Sequence, residues 1–336
     1  MSRKRGGNVS RSRRFGAVVL LTLVSALTAS PAAVAASQLQ VIGFWASDAS
    51  AGLAGLYQYP RSITYFTPFW YSVNAMGGLV NHVNTAILDK VNSLHIPITP
   101  LVNDATGTQA FLRNPLTRLN AARNIADMVK GQHYAGVDID FEPTHTSLAP
   151  ELSAFAIDLR DFLPRRAVVS MAIVPNSGGA YQWNKLIPEV NQFVLMSYDE
   201  HDDGSYAGPV AATPWVQNIL TRMERVVPAN KIDLGIAVYG YIWPLGSTVA
   251  TTVPYNAVTP QMNEHAKWDT EDQETYATFD TASGPVIAWW ESLQGMNQKI
   301  QLAKEDHLHG VALWHLGYAN KSVYQLLLHQ IGSQPT

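Results

Sequence analysis

The chain has no cysteine in its 336 residues. Disulfide bonds, thiol nucleophiles and Cys-ligated zinc are therefore excluded, and the fold has to be held by its core alone. Basic residues are also scarce beyond the first stretch. Six of the 23 Lys and Arg residues, and none of the 26 Asp and Glu, precede residue 36. The remainder carries 17 basic against 26 acidic residues, a formal charge of −9. Such a balance does not favour adsorption to nucleic acid or anionic lipid. No apolar run is long enough to cross a bilayer: that at 15–27 is too short. It follows Arg3, Lys4, Arg5, Arg11, Arg13 and Arg14 and precedes Ala33-Val34-Ala35. Together these read as a secretory signal peptide at residues 1–35 and predict a protein that is secreted or cell-wall associated, with no membrane contact after cleavage; an uncleaved anchor is the alternative, which the short run disfavours. Ser12-Arg13-Arg14 hints at twin-arginine export, although the following residues fit poorly.

What remains, residues 36–336, is long enough for one large domain. Apolar runs of strand length occur at 39–46, 62–71, 96–104, 134–142, 167–175, 193–199, 232–240 and 310–317. Pro68 suggests that regular pairing of the second run has ended there. Helical patterns fall between the runs. The segment 79–95 has Leu79, Val83, Ile87, Val91 and Leu94 at helical spacing, Pro115 opens a helix to Lys130, and Thr213-Pro214 reads as an N-cap with Pro in the first turn. Eight strands alternating with helices predict an α/β chain folded as a (β/α)8 TIM barrel. Residues 241–291 break the rhythm and predict a small inserted β subdomain or long loop after strand 7. An open doubly wound sheet is the rival, but no glycine-rich phosphate fingerprint follows the first strand.

The fourth run, Y-A-G-V-D-I-D-F-E, places Asp138, Asp140 and Glu142 at alternate positions. Side chains of a strand alternate between faces, so the three acids share one face and Val137, Ile139 and Phe141 the other. A solvated edge strand would explain this. An acid column inside a barrel, ending in a catalytic Glu142, explains it together with the apolar opposite face. Barrel active sites lie at the C-terminal strand ends. In this chain those ends carry Trp45, Phe69, Trp70, Asn103, Asp104, Asp140, Glu142, Met171, Tyr198, Asp199, Tyr239 and Trp314. Acids and aromatics without Lys or Arg suit a neutral ring such as a sugar, not a phosphate ester, which calls for cations or a helix N-terminus.

These residues resemble glycoside hydrolase family 18, the chitinase-like barrels, and within it the bacterial spore-germination and cell-wall type. The family signature D-x-x-D-x-D-x-E falls on Asp138, Asp140 and Glu142, its M-x-Y-D motif on Met196-Ser197-Tyr198-Asp199, and its last-strand Trp on Trp314. The closer likeness rests on Pro68-Phe69-Trp70-Tyr71, on residues 235–243 and on residues 314–317. One position departs: the first Asp of the signature is Ala135.

The resemblance implies a retaining hydrolase cutting β-1,4 bonds next to N-acetylglucosamine, in peptidoglycan or chitin, with the substrate's own acetamido group as nucleophile. Glu142 would be the acid and base, Asp140 would orient the acetamido group and Asp138 would share a proton with Asp140. Tyr198 would bond the acetamido group, Asp199 would hold the distorted sugar and Trp314 would floor the ring. From their place at the strand ends, Met171, Trp45, Phe69, Trp70 and Tyr239, with Met196, would line the binding site; core packing is the alternative for Trp45, Phe69 and Trp70, and barrel filling for Trp314. No cofactor and no metal is expected. The partner is an N-acetylglucosamine-containing polysaccharide or oligosaccharide, with no nucleic acid, and the protein is expected as a monomer. A non-catalytic glycan-binding relative and an unrelated barrel with metal-binding acids are the competing functions. His201-Asp202-Asp203 resembles a metal cluster, but three adjacent polar residues after a strand read more simply as a solvated loop.

Overall fold

The computed structural model describes residues 39–46, 52–142 and 146–331; the expected signal peptide at 1–35 lies outside them. Eight parallel strands pair in a ring: β1 (Gln40–Trp45), β2 (Tyr65–Val73), β4 (Leu101–Asp104), β5 (Gly136–Asp140), β6 (Val168–Ile173), β7 (Gln192–Leu195), β8 (Ile232–Ala237) and β14 (Gly310–Trp314). The ring closes where β1 pairs with β2, Ile42 opposite Tyr65, and with β14, Gln40 opposite Gly310. This is the expected (β/α)8 barrel.

The helices form because their faces and caps agree. In α4 (Pro115–Gly131), Ala121, Ala122, Ile125, Ala126 and Val129 are buried; Pro115 is the first residue and the Asn114 side chain accepts from the Leu116 N–H. Helix α9 (Leu293–Glu305) is capped by Ser292, which accepts from Gly295 N. Helices α5 (Ala149–Phe162), α7 (Thr213–Glu224) and α10 (Lys321–Ile331) complete the longer outer helices. Between strands and helices lies the main core, which includes Trp45, Phe66, Trp70, Phe155 and Phe193. Inside the ring a smaller group, Ile42, Phe44, Leu101, Val194 and Ala312, packs against Phe69 and Trp314. Among the described residues no helix is long and apolar enough to cross a membrane.

Three local expectations are corrected. Strand β2 continues through Pro68, which stands opposite Trp45, and a register shift between Phe69 and Tyr71 absorbs the irregularity on the β4 side. Leu79 does not begin a helix. It belongs to β3 (Leu79–Asn81), antiparallel to β2 after a turn in which Asn74 Oδ1 accepts from Met76 and Gly78, and α2 (Thr85–Ser93) starts only at its Asn84 cap. Thr213 does not cap α7. Instead Glu274 accepts from Val210 and Ala211 N–H, and Glu200 accepts from Ala212 N–H.

The region after strand 7 is a β subdomain, not a loop. It begins at Tyr239, immediately after β8, and forms a five-stranded antiparallel sheet from β9 (Tyr239–Pro244), β10 (Thr251–Pro254), β11 (Lys267–Trp268), β12 (Thr275–Thr281) and β13 (Gly284–Trp290). One side packs Val253, Met262, Ala277, Phe279 and Trp290; Tyr239, Tyr241, Trp243 and Trp289 form an aromatic cluster with Val210 and Ala237.

Candidate active site at the C-terminal strand ends

Strand β5 sets the frame. Its alternation sends Val137 and Ile139 into the main core and leaves Asp138 and Asp140 to the interior. Asp138 is fully buried, and Ser170 Oγ on β6 donates to its Oδ1 at 2.5 Å. Burial pushes its carboxyl up to about 7; the Ser170 bond opposes this and the charge of Asp233 adds to it. Asp140, one step nearer the mouth, is raised well above its ordinary value by burial, then by the charges of Glu142 and Asp138. Asp138 Oδ2 and Asp140 Oδ1 are both buried and have no hydrogen-bond partner among the described residues.

Glu142 follows the strand end and is exposed to solvent, with φ 37°. A non-glycine residue there is uncommon and has to be held. The holding group is a relay from the next loop: Asp104 Oδ2 accepts from the Gln109 backbone N–H at 2.6 Å, and Gln109 Nε2 donates to the Phe141 carbonyl at 2.8 Å. Phe141 itself is wedged between Phe111 and Phe155, ring centroids 5.0 and 5.1 Å away.

Residues 196–199 leave the end of β7. Tyr198 reaches the acids, and burial followed by the charges of Asp140, Asp199, Glu142 and Asp138 raises its hydroxyl well above 10.0, so it keeps its proton. Gly235 makes room for it: a Cβ there would lie 3.0 Å from Tyr198 Cε1 and 2.5 Å from the Leu195 carbonyl oxygen. Asp199, with φ 60°, takes hydrogen bonds at Oδ1 from Tyr239 Oη (2.6 Å) and Tyr241 Oη (2.9 Å). Burial raises its carboxyl and these two bonds pull it back. Trp314 ends β14 and packs against Phe44, centroids 5.7 Å apart.

A cavity of about 550 Å³ joins these groups. Asp140, Glu142, Met196, Tyr198, Asp199 and Trp314 all line it, so six of the expected residues meet in one place. Asp138 lies beneath them and Phe69 packs with the inner group beside Trp314. Tyr239 stands behind Asp199 instead of lining the cavity. Trp45, Trp70 and Met171 are corrections: they were expected at the site, but all three side chains are buried in the main core on the other face of their strands. Their neighbours face inward instead, Phe44 beside Trp45 and Ala172 beside Met171, and these line the cavity. Asn176, Asp202 and Trp215 line it too. Asp202 is exposed, as a solvated loop requires, and still borders the cavity; nothing in the local pattern marks Trp215, the third residue of α7. Among the described residues no three His, Asp or Glu side chains are grouped to hold a metal. None of the described lining residues is Lys, Arg or His. Chemically, the cavity offers carboxyls in graded environments, a protonated phenol and a flat indole, a set suited to proton transfer on a neutral ring.

The chain matches known proteins over the same region. The profile described as "Glycosyl hydrolases family 18" matches residues 103–319. A Bacillus subtilis (strain 168) protein, YdhD, named as a sporulation-specific glycosylase, is 28% identical over 280 residues, covering 77% of this chain and 66% of that protein. The chain thus spans just under two thirds of that relative. The spore cortex-lytic enzyme SleL of Bacillus cereus superposes with a TM-score of 0.79 at 19% identity, covering 87% of this chain and 74% of that one. A chitinase from Chromobacterium violaceum ATCC 12472 superposes with a TM-score of 0.77 at 21% identity, covering 88% and 100%.

Proposed function

The chain belongs to glycosyl hydrolases family 18, and from that premise we propose that it is a retaining glycoside hydrolase that cuts β-1,4 linkages next to N-acetylglucosamine by substrate-assisted catalysis. The observation that carries this is the single cavity in which Asp140, Glu142, Tyr198, Asp199 and Trp314 converge over Asp138.

The sugar ring lies on Trp314. Glu142 gives its proton to the glycosidic oxygen as the bond to the anomeric carbon breaks. The carbonyl oxygen of the 2-acetamido group attacks that carbon and forms an oxazolinium ion. Tyr198, a protonated donor, bonds the acetamido group, and Asp140 supports the positive charge that develops there. Asp138 shares its proton with Asp140, because stacked carboxylates cannot all ionise cheaply. Asp199, tethered by Tyr239 and Tyr241, holds the distorted ring. Glu142, now a carboxylate, takes a proton from water, which opens the oxazolinium ion from the face that the leaving group left, with net retention.

For substrate, the names of the Bacillus relatives favour peptidoglycan or its fragments over crystalline chitin. Residues 1–35 favour export, and the acidic remainder disfavours nucleic acid and anionic membrane.

A thiazoline analogue of the oxazolinium ion tests the mechanism against chitin oligomers and peptidoglycan, with and without EDTA. Strong inhibition by the thiazoline and indifference to EDTA are expected. Indifference to the thiazoline would refute the acetamido route, and loss of activity in EDTA would favour a metal-binding barrel.

A further inference from the structure

At the other end of the strands a second cavity, also of about 550 Å³, opens between the starts of β2, β5 and β6 and the end of α4. Its chemistry is the reverse of the first. Lys130, His133 and Arg166 line it, and among its described lining residues there is no carboxylate. Tyr65, Pro97 and Pro164 give it flat, largely apolar walls.

The polar groups around it are only lightly engaged, and the one carboxylate charge that acts on Tyr65 is that of the buried Asp233. Among the described residues the Arg166 guanidinium, the His133 ring and the Tyr65 hydroxyl have no hydrogen-bond or ion-pair partner in the protein. Lys130 meets only Asp127, at 3.6 Å, with the two side chains 46% and 64% exposed, and so loose a surface pair contributes little. The backbone that carries these groups is nonetheless fixed. His133 takes φ 57°. Its N–H donates to Lys130 O at 3.3 Å, Tyr134 N–H to Val129 O at 3.1 Å, and Ala135 N–H to Ile98 O at 2.9 Å.

Ala135, left over from the signature, lines this cavity. An Asp there would put a carboxylate on the same wall as the cations and answer them from within. Alanine leaves Arg166 without a carboxylate among the described residues.

We infer that this basal cavity is a second ligand site, which takes a sugar-sized organic anion bearing a carboxylate or a phosphate. The volume lies in the range of small-molecule sites. Arg166 offers a planar fork for an oxyanion, Lys130 a point charge and Tyr65 a neutral donor, and charge-assisted bonds of this kind are the strong ones. Neutral N-acetylglucosamine has nothing to give the cations. Neither the site nor its test depends on the chemistry at the other end.

Isothermal titration of the intact protein at low salt tests this, with N-acetylmuramic acid as the carboxylate probe, N-acetylglucosamine 6-phosphate as the phosphate probe, and inorganic phosphate and N-acetylglucosamine as controls. At least one acidic sugar is expected to bind, and the tighter of the two identifies the anion. Arg166→Glu should weaken that binding by about tenfold or more, and Ala135→Asp by about fivefold. Trp314→Ala should leave it unchanged. Arg166 is exposed and has no partner among the described residues, so its variant should keep the wild-type melting temperature. Four results would each overturn the inference: no binding of either acidic sugar, binding untouched by both basal variants, equal binding of N-acetylglucosamine, or inorganic phosphate binding as tightly as the sugar phosphate.

Discussion

Two groups of buried carboxylates can be set side by side. In the barrel, Asp138 and Asp140 are raised by burial, and among the described residues no cation stands against them. In the seam between the β subdomain and the barrel, Glu274 and Glu291 are equally buried, but Lys299 Nζ lies 2.6 Å from Glu291 Oε2, all three with no exposed surface. The seam is built to be closed. Glu274 spends both its oxygens on the Val210 and Ala211 N–H groups before α7, and a Cβ on Gly295 would stand 2.0 Å from Glu291 Oε1. Burial pushes Glu274 up to about 8, with Glu291 adding to the rise and Lys299 opposing it. Two pairs of buried carboxylates therefore do different work. One is compensated and ties an inserted sheet to the loop that carries Asp199 and Asp202. The other is left uncompensated where a cavity opens onto it, and that is what a proton-handling site requires.

The largest effect should come from the open cluster. Glu142→Gln is expected to lower kcat on chitin oligomers by about 10²–10⁴-fold, with little change in melting temperature, because Glu142 is exposed. A loss below about tenfold would remove Glu142 as the proton donor.

Lys299→Met should do the reverse. Removing one partner of a buried pair leaves a bare charge and costs about 3–5 kcal/mol, readable as a lower urea midpoint. The kcat of the folded fraction should stay within about twofold. A fall in kcat comparable with that of Glu142→Gln would show that the seam acts on the chemistry and would erase the contrast.

The smallest effect is a pH dependence. A carboxyl raised in the fold binds its proton more tightly there than in the unfolded chain. Its contribution to stability is full below its ordinary value of 3.8 and lost as pH climbs through about 7 for Asp138. Asp138→Asn should therefore flatten the fall in unfolding free energy between those pH values, by about 1.4 kcal/mol per pH unit at the steepest. An unchanged slope would mean that Asp138 is not the proton holder.

Much of the site was legible because it is written at strand ends. A period of two put Asp138, Asp140 and Glu142 on one face, and residues 196–199 and Trp314 close two further strands. The errors at Trp45, Trp70 and Met171 share one cause. Strands buried on both faces carry no polar-apolar alternation, so Phe44-Trp45 and Phe69-Trp70 do not say which ring turns inward. The Asp104–Gln109–Phe141 relay that holds Glu142 was invisible for another reason: its partners are joined through a loop, and Gln109 lies 32 residues from Phe141.

The sequence by itself determined the eight-strand alternation, the acid column, the absence of thiol chemistry and the interruption after strand 7, because each follows from local periodicity or composition. Tertiary structure alone decided which face of each strand looks inward, which residues of α7 and the loops join the cavity, that Glu274 and Glu200 hold the approach to α7, and that Lys130, His133 and Arg166 line a second cavity. Those are matters of register and closure. A ring of strands brings together side chains that lie far apart along the chain, and no window of the sequence contains them both.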